Sequence, residues 1–357
     1  MNDISTSPVP RPEAIDAAWL QAILAECGHA YDVTSVSVVP VGTGQIGDTV
    51  RLTIGYGEQS GPPTLIGKFA ATNPDSLTVA ANWHLYEREV GFYRHLAATA
   101  RITTAPCYGS ALDAEGSFAL LLEDLSPARV GDQFAGIAPE LAHRAMREAA
   151  RLHAAFWGKV EGPDFVWLET GPLSQPFYVA DVLRSVWPGF RERYADRLTN
   201  DMVRVCERLS ERYEAYSRLL DRPRCVTHND YRPDNMLFGE DGRVTVVDWQ
   251  SCAIGQNAVD VAYLIGGAFQ SEERRVIEGE LLDSYQRELE LQGVIGYSRA
   301  DLAEDYRHFS FAGINVAVGA AMMVKRTERG DRMFLTMLDR HVSHVIDTGA
   351  LEILDAR

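Results

Sequence analysis

The sequence predicts an α+β protein with two lobes, a small strand-rich lobe over residues 1–124 and a larger, mostly helical lobe over residues 125–357. The first lobe alternates short apolar segments with glycine-rich turns, a pattern typical of antiparallel strands. Beyond Leu125 the apolar residues recur mostly at the spacing of helices. The length of 357 residues exceeds what one hydrophobic core usually needs and suits two.

In the N-terminal lobe, glycines mark the ends of several predicted elements. A helix over residues 13–27 ends at Gly28, a residue that readily takes the left-handed conformation after a last helical turn. A second helix, over residues 79–97, carries a single apolar stripe. The predicted strands are residues 34–41, 48–56, 63–70, 102–108 and 117–123.

The C-terminal lobe has one interruption in its helical pattern. Residues 224–248 contain two short apolar segments around a polar loop, which predicts two strands joined by that loop. The helices on either side are expected over residues 139–157, 177–194, 200–220, 257–269, 272–291, 299–324 and 331–348.

The composition argues against several classes of protein. A net charge of −16 and a pI near 5.0 disfavour binding to nucleic acid or anionic membranes and are compatible with a cationic substrate. The five cysteines never occur in Cys-x-x-Cys spacing and predict reduced thiols. The N-terminus lacks a secretory signal pattern, and no apolar run is long enough to span a bilayer. We therefore expect a cytoplasmic protein; the oligomeric state stays open.

The most informative motif combines a polar loop with the strand that follows it. The loop reads His-Asn-Asp-Tyr-Arg-Pro-Asp-Asn over residues 228–235, and the strand ends at Asp248. An aspartate in such a loop, Asp230, can accept the proton of an attacking hydroxyl. Asn235 and Asp248 offer two oxygen ligands to Mg²⁺, which fills the rest of its shell with phosphate and water. The pattern predicts phosphoryl transfer; a polar turn between strands is the alternative.

This segment resembles the catalytic segment of the protein-kinase-like superfamily, in its small-molecule branch. Aminoglycoside phosphotransferases, choline kinases and ecdysteroid-kinase-like proteins share an H-x-D-x-x-x-x-N loop and a following strand that ends in aspartate. The resemblance covers about residues 35–270 and implies a bilobal kinase-like fold, with ATP as co-substrate and Mg²⁺ as the metal. Only eleven residues separate Asp248 from Asp260. That is too short for the activation segment of a protein kinase, so a small-molecule acceptor is implied.

Gly42, Gly44 and Gly47 form a G-x-G-x-x-G pattern between the first two strands of the sheet. The resemblance implies a loop over the ATP phosphates, where glycine permits close approach of the backbone. A strand follows the pattern where a dinucleotide-binding motif requires a helix, which excludes that motif. A plain hairpin turn is the alternative.

Lys68 lies inside an apolar strand, and the following helix offers two glutamates as its partner. In the family, such a lysine pairs with a helix glutamate and holds the α- and β-phosphates. Glu89 shares a helix face with Phe92 and Leu96, whereas Glu87 lies about 160° away around the helix. Glu89 is therefore the expected partner, unless both charges are simply solvated.

The end of the strand Ser117–Glu123 resembles the hinge segment of the family. By that resemblance the carbonyl of Glu123 and the amide of Leu125 bind the adenine edge. A turn that merely ends the strand is the alternative.

Further expectations concern the residues around Asp230. Arg232 stands where protein kinases carry a lysine that binds the γ-phosphate, and it is otherwise a surface arginine. His228 is expected to pack beneath the loop, because Asp230 already fills the role of base. By the resemblance, Asp260 accepts backbone N–H bonds from the loop; otherwise it is an ordinary first-turn acid. Asp234 is expected to shape the loop.

The sequence therefore predicts an ATP- and Mg²⁺-dependent phosphotransferase that acts on a hydroxyl of a small molecule, similar to aminoglycoside phosphotransferases. Asn229 is similar to the corresponding residue of choline kinases, whereas H-G-D is usual in aminoglycoside phosphotransferases. A choline, ethanolamine or hydroxyacyl kinase is the alternative enzyme, and a nucleotide-binding pseudokinase without turnover is the alternative from another class. Neither the acceptor nor a preference for ATP over GTP follows from the sequence.

Overall fold

The computed structural model describes residues 8–42, 46–174, 176–218 and 220–355, without the side chains of residues 176–181. The chain divides into two compact units. The first unit is rich in strands and the second is mainly helical, so the predicted α+β class is confirmed. The first unit consists of Met1–Ala98, Thr104–Pro127 and Asp248–Gln250, and the second of Thr99–Thr103, Ala128–Val247 and Ser251–Arg357.

A five-stranded antiparallel sheet forms the centre of the first unit. Its strands are β1 (Val33–Pro40), β2 (Gly47–Tyr56), β3 (Thr64–Ala70), β4 (Cys107–Leu112) and β5 (Phe118–Glu123), in the order β1-β2-β3-β5-β4. Helix α1 (Ala17–Glu26) contributes Leu20 and Leu24 to the core on one face. Burial alternates along β3, where Leu65 and Phe69 enter that core. Lys68 therefore projects from the opposite face of a central strand.

The prediction of one helix over residues 79–97 is wrong. The chain forms two helices, α2 (Pro74–Trp83) and α3 (Leu85–Gly91), and then a π-helical turn over Phe92–Leu96. His84 separates the helices with a φ of 56°, a left-handed conformation that interrupts a right-handed helix. The apolar stripe continues across the break, so periodicity alone does not reveal it.

The predicted strand over residues 102–108 is displaced, since β4 begins at Cys107. The Thr103 amide donates to Glu148 Oε2 at 2.6 Å, and the Thr103 carbonyl accepts from the Val246 amide at 2.9 Å. These contacts lie within the second unit. Because each backbone group of Thr103 is already bonded there, it cannot also extend the sheet of the first unit.

Helices make up most of the second unit. They are α4 (Pro139–Ala155), α5 (Pro176–Arg193), α6 (Asn200–Glu211), α7 (Tyr213–Tyr216), α8 (Ala258–Ala268), α9 (Ser271–Leu291), α10 (Arg299–Phe309), α11 (Ala312–Met323), α12 (Glu328–Asp347) and α13 (Leu351–Asp355). Two predicted helices are each divided, since residues 200–220 form α6 and α7 and residues 299–324 form α10 and α11. At the second break the Ser310 hydroxyl donates to the Arg307 carbonyl, a local bond that competes with helix continuation.

Short strands of the second unit frame the predicted catalytic loop. Strand β7 (Cys225–Thr227) pairs with β10 (Ala253–Gly255). Strand β8 (Met236–Phe238) lies between β6 (Arg129–Val130) and β9 (Val244–Val246). Residues 228–235 connect β7 to β8, which is where the sequence places the loop. Across the described ranges, we find no helix with the length and apolarity that crossing a membrane requires.

Candidate active site

In the first unit, Lys68 lies between two carboxylates. Its Nζ is 2.5 Å from Glu89 Oε1 and 2.9 Å from Asp248 Oδ1. The Glu89 side chain is only 1% exposed, whereas Glu87 is 41% exposed and lies near His84. The structure thus brings Lys68, Glu89 and Asp248 together and leaves Glu87 at the surface.

The ion pairs keep Lys68 charged. Burial opposes the charged form, but the carboxylates of Asp248 and Glu89 outweigh it and raise the pKa of Lys68. The ammonium group is thereby held as a fixed positive charge, which suits a group that binds phosphate oxygens.

Trp249 anchors Asp248 within the first unit. Its buried ring stacks on Phe92 with centroids 3.6 Å apart and planes 5° apart, and its Nε1 donates to Thr104 Oγ1 at 2.9 Å. Asp248 itself has a φ of 70°, a left-handed turn that redirects the chain after Val247. The tryptophan after the aspartate therefore fixes the position of the carboxylate beside Lys68.

The glycine pattern is described only in part. Gly42 has a φ of 76°, which favours glycine, and Gly47 is the first residue of β2. Gly44 lies outside the described residues. Glu123 ends β5 with its amide bonded to the Pro106 carbonyl at 2.9 Å, and Leu125 follows two residues later.

In the second unit, Asp260 fixes the backbone of the turn before Asp230. Its Oδ2 accepts from the His228 amide at 2.7 Å, and its Oδ1 accepts from the Asn229 amide at 2.8 Å. The carboxylate is fully buried at the start of α8, where His153 Nε2 lies 3.1 Å from Oδ2. Asp260 is thus more than a first-turn acid, because it closes the turn by bonding two consecutive amides.

Asn229 occupies the bend of this turn, with a φ of 60°. Asparagine and glycine tolerate this conformation better than other residues. The Asn229 amide nitrogen also donates to the Ser251 carbonyl at 3.0 Å. The backbone therefore explains why a position often held by glycine can hold asparagine here.

The Asp230 carboxylate accepts hydrogen bonds from three side chains. Oδ1 accepts from Arg232 Nε at 3.0 Å and from the Tyr263 hydroxyl at 2.9 Å, and Oδ2 accepts from Asn235 Nδ2 at 2.7 Å. Its side chain is 17% exposed. These donors define the orientation of the carboxylate while leaving part of it accessible.

His228 is fully buried, and its ring bonds to the main chain through both nitrogens. Nδ1 accepts from the Asp230 amide at 3.3 Å, and Nε2 lies 3.0 Å from the Val247 carbonyl, which fixes Nε2 as the donor. The imidazole thus ties the loop to the strand that precedes Asp248, and neither nitrogen is open to an acceptor hydroxyl.

Arg232 is largely buried rather than a surface arginine. Its side chain is 18% exposed and bridges Asp230 to Asp234, whose Oδ2 lies 2.6 Å from Nη1. Burial opposes its charge, but the carboxylates raise its pKa above the ordinary value. Asp234 also accepts from the Gln133 amide at 2.7 Å, so it shapes the loop by holding two groups.

The residues proposed for Mg²⁺ fit that ion chemically. Asn235 uses Nδ2 to bond both the carbonyl and the carboxylate of Asp230, so Oδ1 is its remaining ligand atom. Asp248, in the other unit, has a side chain that is 27% exposed. In the part of the chain that the structure describes, no three or more His, Cys, Asp or Glu are grouped so that they could hold a metal ion. Each residue thus offers an oxygen of the kind that Mg²⁺ binds, and this ion takes most of its ligands from phosphate and water.

Tyr263 is the site residue that the sequence did not predict. It lies one helical turn after Asp260 on α8, so both side chains point toward the same loop. Burial and the nearby Asp230 raise the pKa of its hydroxyl well above the ordinary value, which keeps it protonated as a donor. Its spacing of three residues from Asp260 is the sequence signal that could have indicated Tyr263 as a site residue.

The fold and the loop define a kinase of small molecules that acts on hydroxyl groups. The chain belongs to the phosphotransferase enzyme family, whose sequence model matches residues 38–302. Similar solved structures confirm the kinase-like fold. They include a Plasmodium vivax ethanolamine kinase (TM-score 0.55, 10% identity, 88% of this chain and 81% of that chain) and the choline kinase LicA of Streptococcus pneumoniae (TM-score 0.52, 13% identity, 91% and 98%).

A microcompartment-associated aminopropanol kinase is similar as well (TM-score 0.51, 15% identity, 94% of this chain and 98% of that chain). At such identities these likenesses show the fold alone. No curated protein sequence matches the chain.

Proposed function

We propose that this protein transfers the γ-phosphate of ATP to a hydroxyl of a small molecule. Asp230 accepts the hydroxyl proton, the acceptor oxygen forms a bond to the γ-phosphorus, and the bond to the β-γ bridging oxygen breaks to release ADP. The observation that carries this proposal is the orientation of the Asp230 carboxylate by Arg232, Tyr263 and Asn235. His228, the rival base, has both ring nitrogens bonded to the main chain.

The nucleotide side of the proposal uses residues of the first unit. Lys68, held by Glu89, binds the α- and β-phosphates, and the loop containing Gly42, Gly44 and Gly47 covers them. The Glu123 carbonyl and the Leu125 amide bind adenine. These roles rest on the family resemblance, together with the ion pair between Lys68 and Glu89.

Asp248 and Asn235 are the proposed Mg²⁺ ligands. These two residues would hold the ion, which would supply positive charge against the negative charge of the phosphates. Arg232 is proposed to bind the transferring phosphoryl group through N–H groups that its two aspartates leave free. Because the reaction consumes ATP and the cysteines are unpaired thiols, we place it in the cytoplasm.

The alternative functions differ from the proposed one either in the acceptor molecule or in the absence of turnover. The identity of Asn229 does not favour a choline kinase over an aminoglycoside phosphotransferase, because its left-handed backbone explains the residue. A choline, ethanolamine or hydroxyacyl kinase therefore remains the alternative enzyme. A pseudokinase would bind nucleotide but consume none, although Lys68, Glu89, Asp230, Asn235 and Asp248 are all present.

The test measures ADP release with ATP or GTP, with and without Mg²⁺, against a broad panel of alcohols. Asp230→Asn keeps the shape of the side chain but loses its charge, so nucleotide affinity should persist while turnover falls by about 10²-fold or more. Asp248→Ala should abolish the Mg²⁺-dependent rate. The control Asp283→Asn, an exposed aspartate on α9, should behave as wild type. Nucleotide binding without turnover on any acceptor would favour the pseudokinase.

The variant His228→Ala tests whether His228 has a structural role or is itself the base. It should lower the melting temperature together with activity, because the loop loses two main-chain bonds. A normally active Asp230→Asn beside a stable but inactive His228→Ala would make the histidine the base.

A further inference from the structure

Two segments of the second unit converge on the group formed by Asp230, Arg232 and Asp234. The loop before α4 approaches through Gln133, whose amide donates to Asp234 Oδ1 at 2.7 Å. The first turns of α12 approach through Met333, whose Sδ lies 3.6 Å from Arg232 Nη1. These two contacts connect the group around Asp230 to both segments.

The two segments also contact each other where two arginines of α12 lie over an aromatic ring of the loop before α4. The guanidinium carbon of Arg332 lies 4.4 Å from the centre of the Phe134 ring, and that of Arg329 lies 5.6 Å from it. We call Phe134, Arg329 and Arg332 the Phe134 patch. Both arginines are exposed. A guanidinium held on a ring face loses freedom of motion but keeps its N–H edge for a carboxylate or phosphate.

A third arginine lies beneath this patch without an acid partner. Arg340 is 3% exposed and donates to the carbonyls of Gln133, Phe134 and Gly267 at 2.7–3.0 Å. These bonds fix the backbone of Phe134. Among the described residues no carboxylate forms an ion pair with Arg340, and Asp339, Glu273 and Asp132 favour its charged form from a greater distance.

Two of the acids near the patch have other hydrogen-bond partners. Asp331 is engaged with the Tyr194 hydroxyl and with Arg326, and Asp132 accepts from the Phe134 amide. Glu328 is exposed, but so is Lys325. Within the described ranges, Arg329 and Arg332 form no ion pair. Other exposed arginines of this unit do, for example Arg204 with Asp201 and Arg299 with Asp283.

We propose that the phosphate acceptor is an anion, with a carboxylate or phosphate group that binds Arg329 and Arg332 while its hydroxyl lies at Asp230. This inference rests on the function proposed above and names its substrate class. It differs from the cationic substrate with which the net charge of −16 is compatible. It also sets the chain apart from the ethanolamine, choline and aminopropanol kinases whose fold it shares. The patch lies on the two segments that contact Asp234 and Arg232.

The experiment uses acceptors that share one hydroxyl framework and differ in their terminal group, of which the carboxylate and the amide are alike in shape and differ in charge. The first set is 4-hydroxybutanoate, 4-hydroxybutyl phosphate, 4-hydroxybutanamide and 4-aminobutan-1-ol. A second set places the same four terminal groups (carboxylate, phosphate, amide and amine) on a ten-carbon chain. ATP consumption is followed with Mg²⁺ and the full-length protein. An anionic member should exceed the amide of equal length by about tenfold or more in kcat/KM, as expected for charge-assisted hydrogen bonds. The carboxylate and phosphate arms show which anion is preferred.

Two variants connect this preference to the patch. Arg332→Gln and Arg329→Gln should raise KM for the anion about tenfold and leave the rate with the amide unchanged. Arg204→Gln, an exposed arginine on α6, is the matched control and should change neither. A preference for the amine, or an anion preference that survives both patch substitutions, overturns the proposal.

Slow ATP hydrolysis in water separates this inference from the proposed function. If the protein hydrolyses ATP and Asp248→Ala does not, phosphoryl transfer that depends on Asp248 is established. Absence of stimulation by every anion of both sets then overturns the anionic acceptor alone. Absence of any Mg²⁺-dependent ATP consumption, with or without acceptors, overturns the proposed function itself.

Discussion

The Tyr263 hydroxyl donates to Asp230 Oδ1 at 2.9 Å from a fully buried position on α8. Its ring stacks on His341 of α12, with centroids 5.4 Å apart and planes 13° apart. Three glycines make room for that imidazole, since a Cβ on Gly266, Gly267 or Gly313 would lie within 3.0 Å of it. The phenol is therefore held on one side by packing and on the other by the carboxylate.

Tyr263→Phe removes the hydroxyl and keeps the stacked ring. We expect kcat to fall by about tenfold, because a hydrogen bond to a charged group contributes about 1.5–3 kcal/mol and here orients the base. KM for ATP should stay unchanged, since Tyr263 is not expected to contact nucleotide. Steady-state kinetics with any accepted alcohol measure both values. Tyr306→Phe, another buried phenol of this unit, is the control; equal kcat losses in the two variants would argue against a special role for Tyr263.

Lys68→Met should affect both stability and nucleotide binding. Glu89 is 1% exposed, so removing its cation leaves a buried carboxylate without a positively charged partner and costs about 1–3 kcal/mol of unfolding free energy. KM for ATP should rise as well, because the phosphates lose a fixed positive charge.

The double variant Lys68→Met/Glu89→Gln separates these two effects. Neutralising Glu89 should recover part of the stability, but ATP affinity should stay low. Urea unfolding and ATP titration measure the two quantities, with Lys159→Met, an exposed lysine, as the control. Full recovery of ATP affinity in the double variant would mean that Lys68 forms a structural ion pair and does not bind ATP.

Asn229 offers a test of the backbone of the catalytic turn. Asn229→Gly and Asn229→Ala both remove the bond to the Ser251 carbonyl, but only alanine places a Cβ at a φ of 60°. We expect the alanine variant to be about 1 kcal/mol less stable than the glycine variant. Denaturant unfolding of both proteins measures this difference. Equal stabilities would mean that the turn relaxes out of the left-handed conformation.

The sequence predicted what local pattern determines and missed what distant contacts determine. Strands β1 to β3 lie within a residue or two of their predicted ranges, because alternation and glycine turns define them locally. The strand expected at 102–108 failed because Glu148, far along the chain, bonds the Thr103 amide. The pairing of Lys68 with Glu89 followed from helix geometry, whereas the burial of Arg232 depends on an aspartate pair and Met333.

Acid should destabilise the protein through buried histidines on α12. Burial, with Arg340 and Arg274 nearby, lowers the pKa of His341 to about 3, and burial also lowers that of His344. In the unfolded chain a histidine takes up its proton near pH 6.5. Between about pH 6.5 and 3 the unfolded state therefore binds a proton at His341 that the folded state does not, so the free energy of unfolding falls as pH falls through this window.

His341→Leu removes one of these groups and should reduce the loss of stability on acidification. Between pH 7.5 and 5.5 the variant should lose about 1 kcal/mol less than wild type, since one protonation over one pH unit is worth about 1.4 kcal/mol. At pH 7.5 leucine should be tolerated, because neither ring nitrogen of His341 has a hydrogen-bond partner among the described residues. Urea unfolding at both pH values measures the difference, with the partly exposed His143→Leu as the control. A variant with the full wild-type acid sensitivity would show that His341 gains its proton in the folded state.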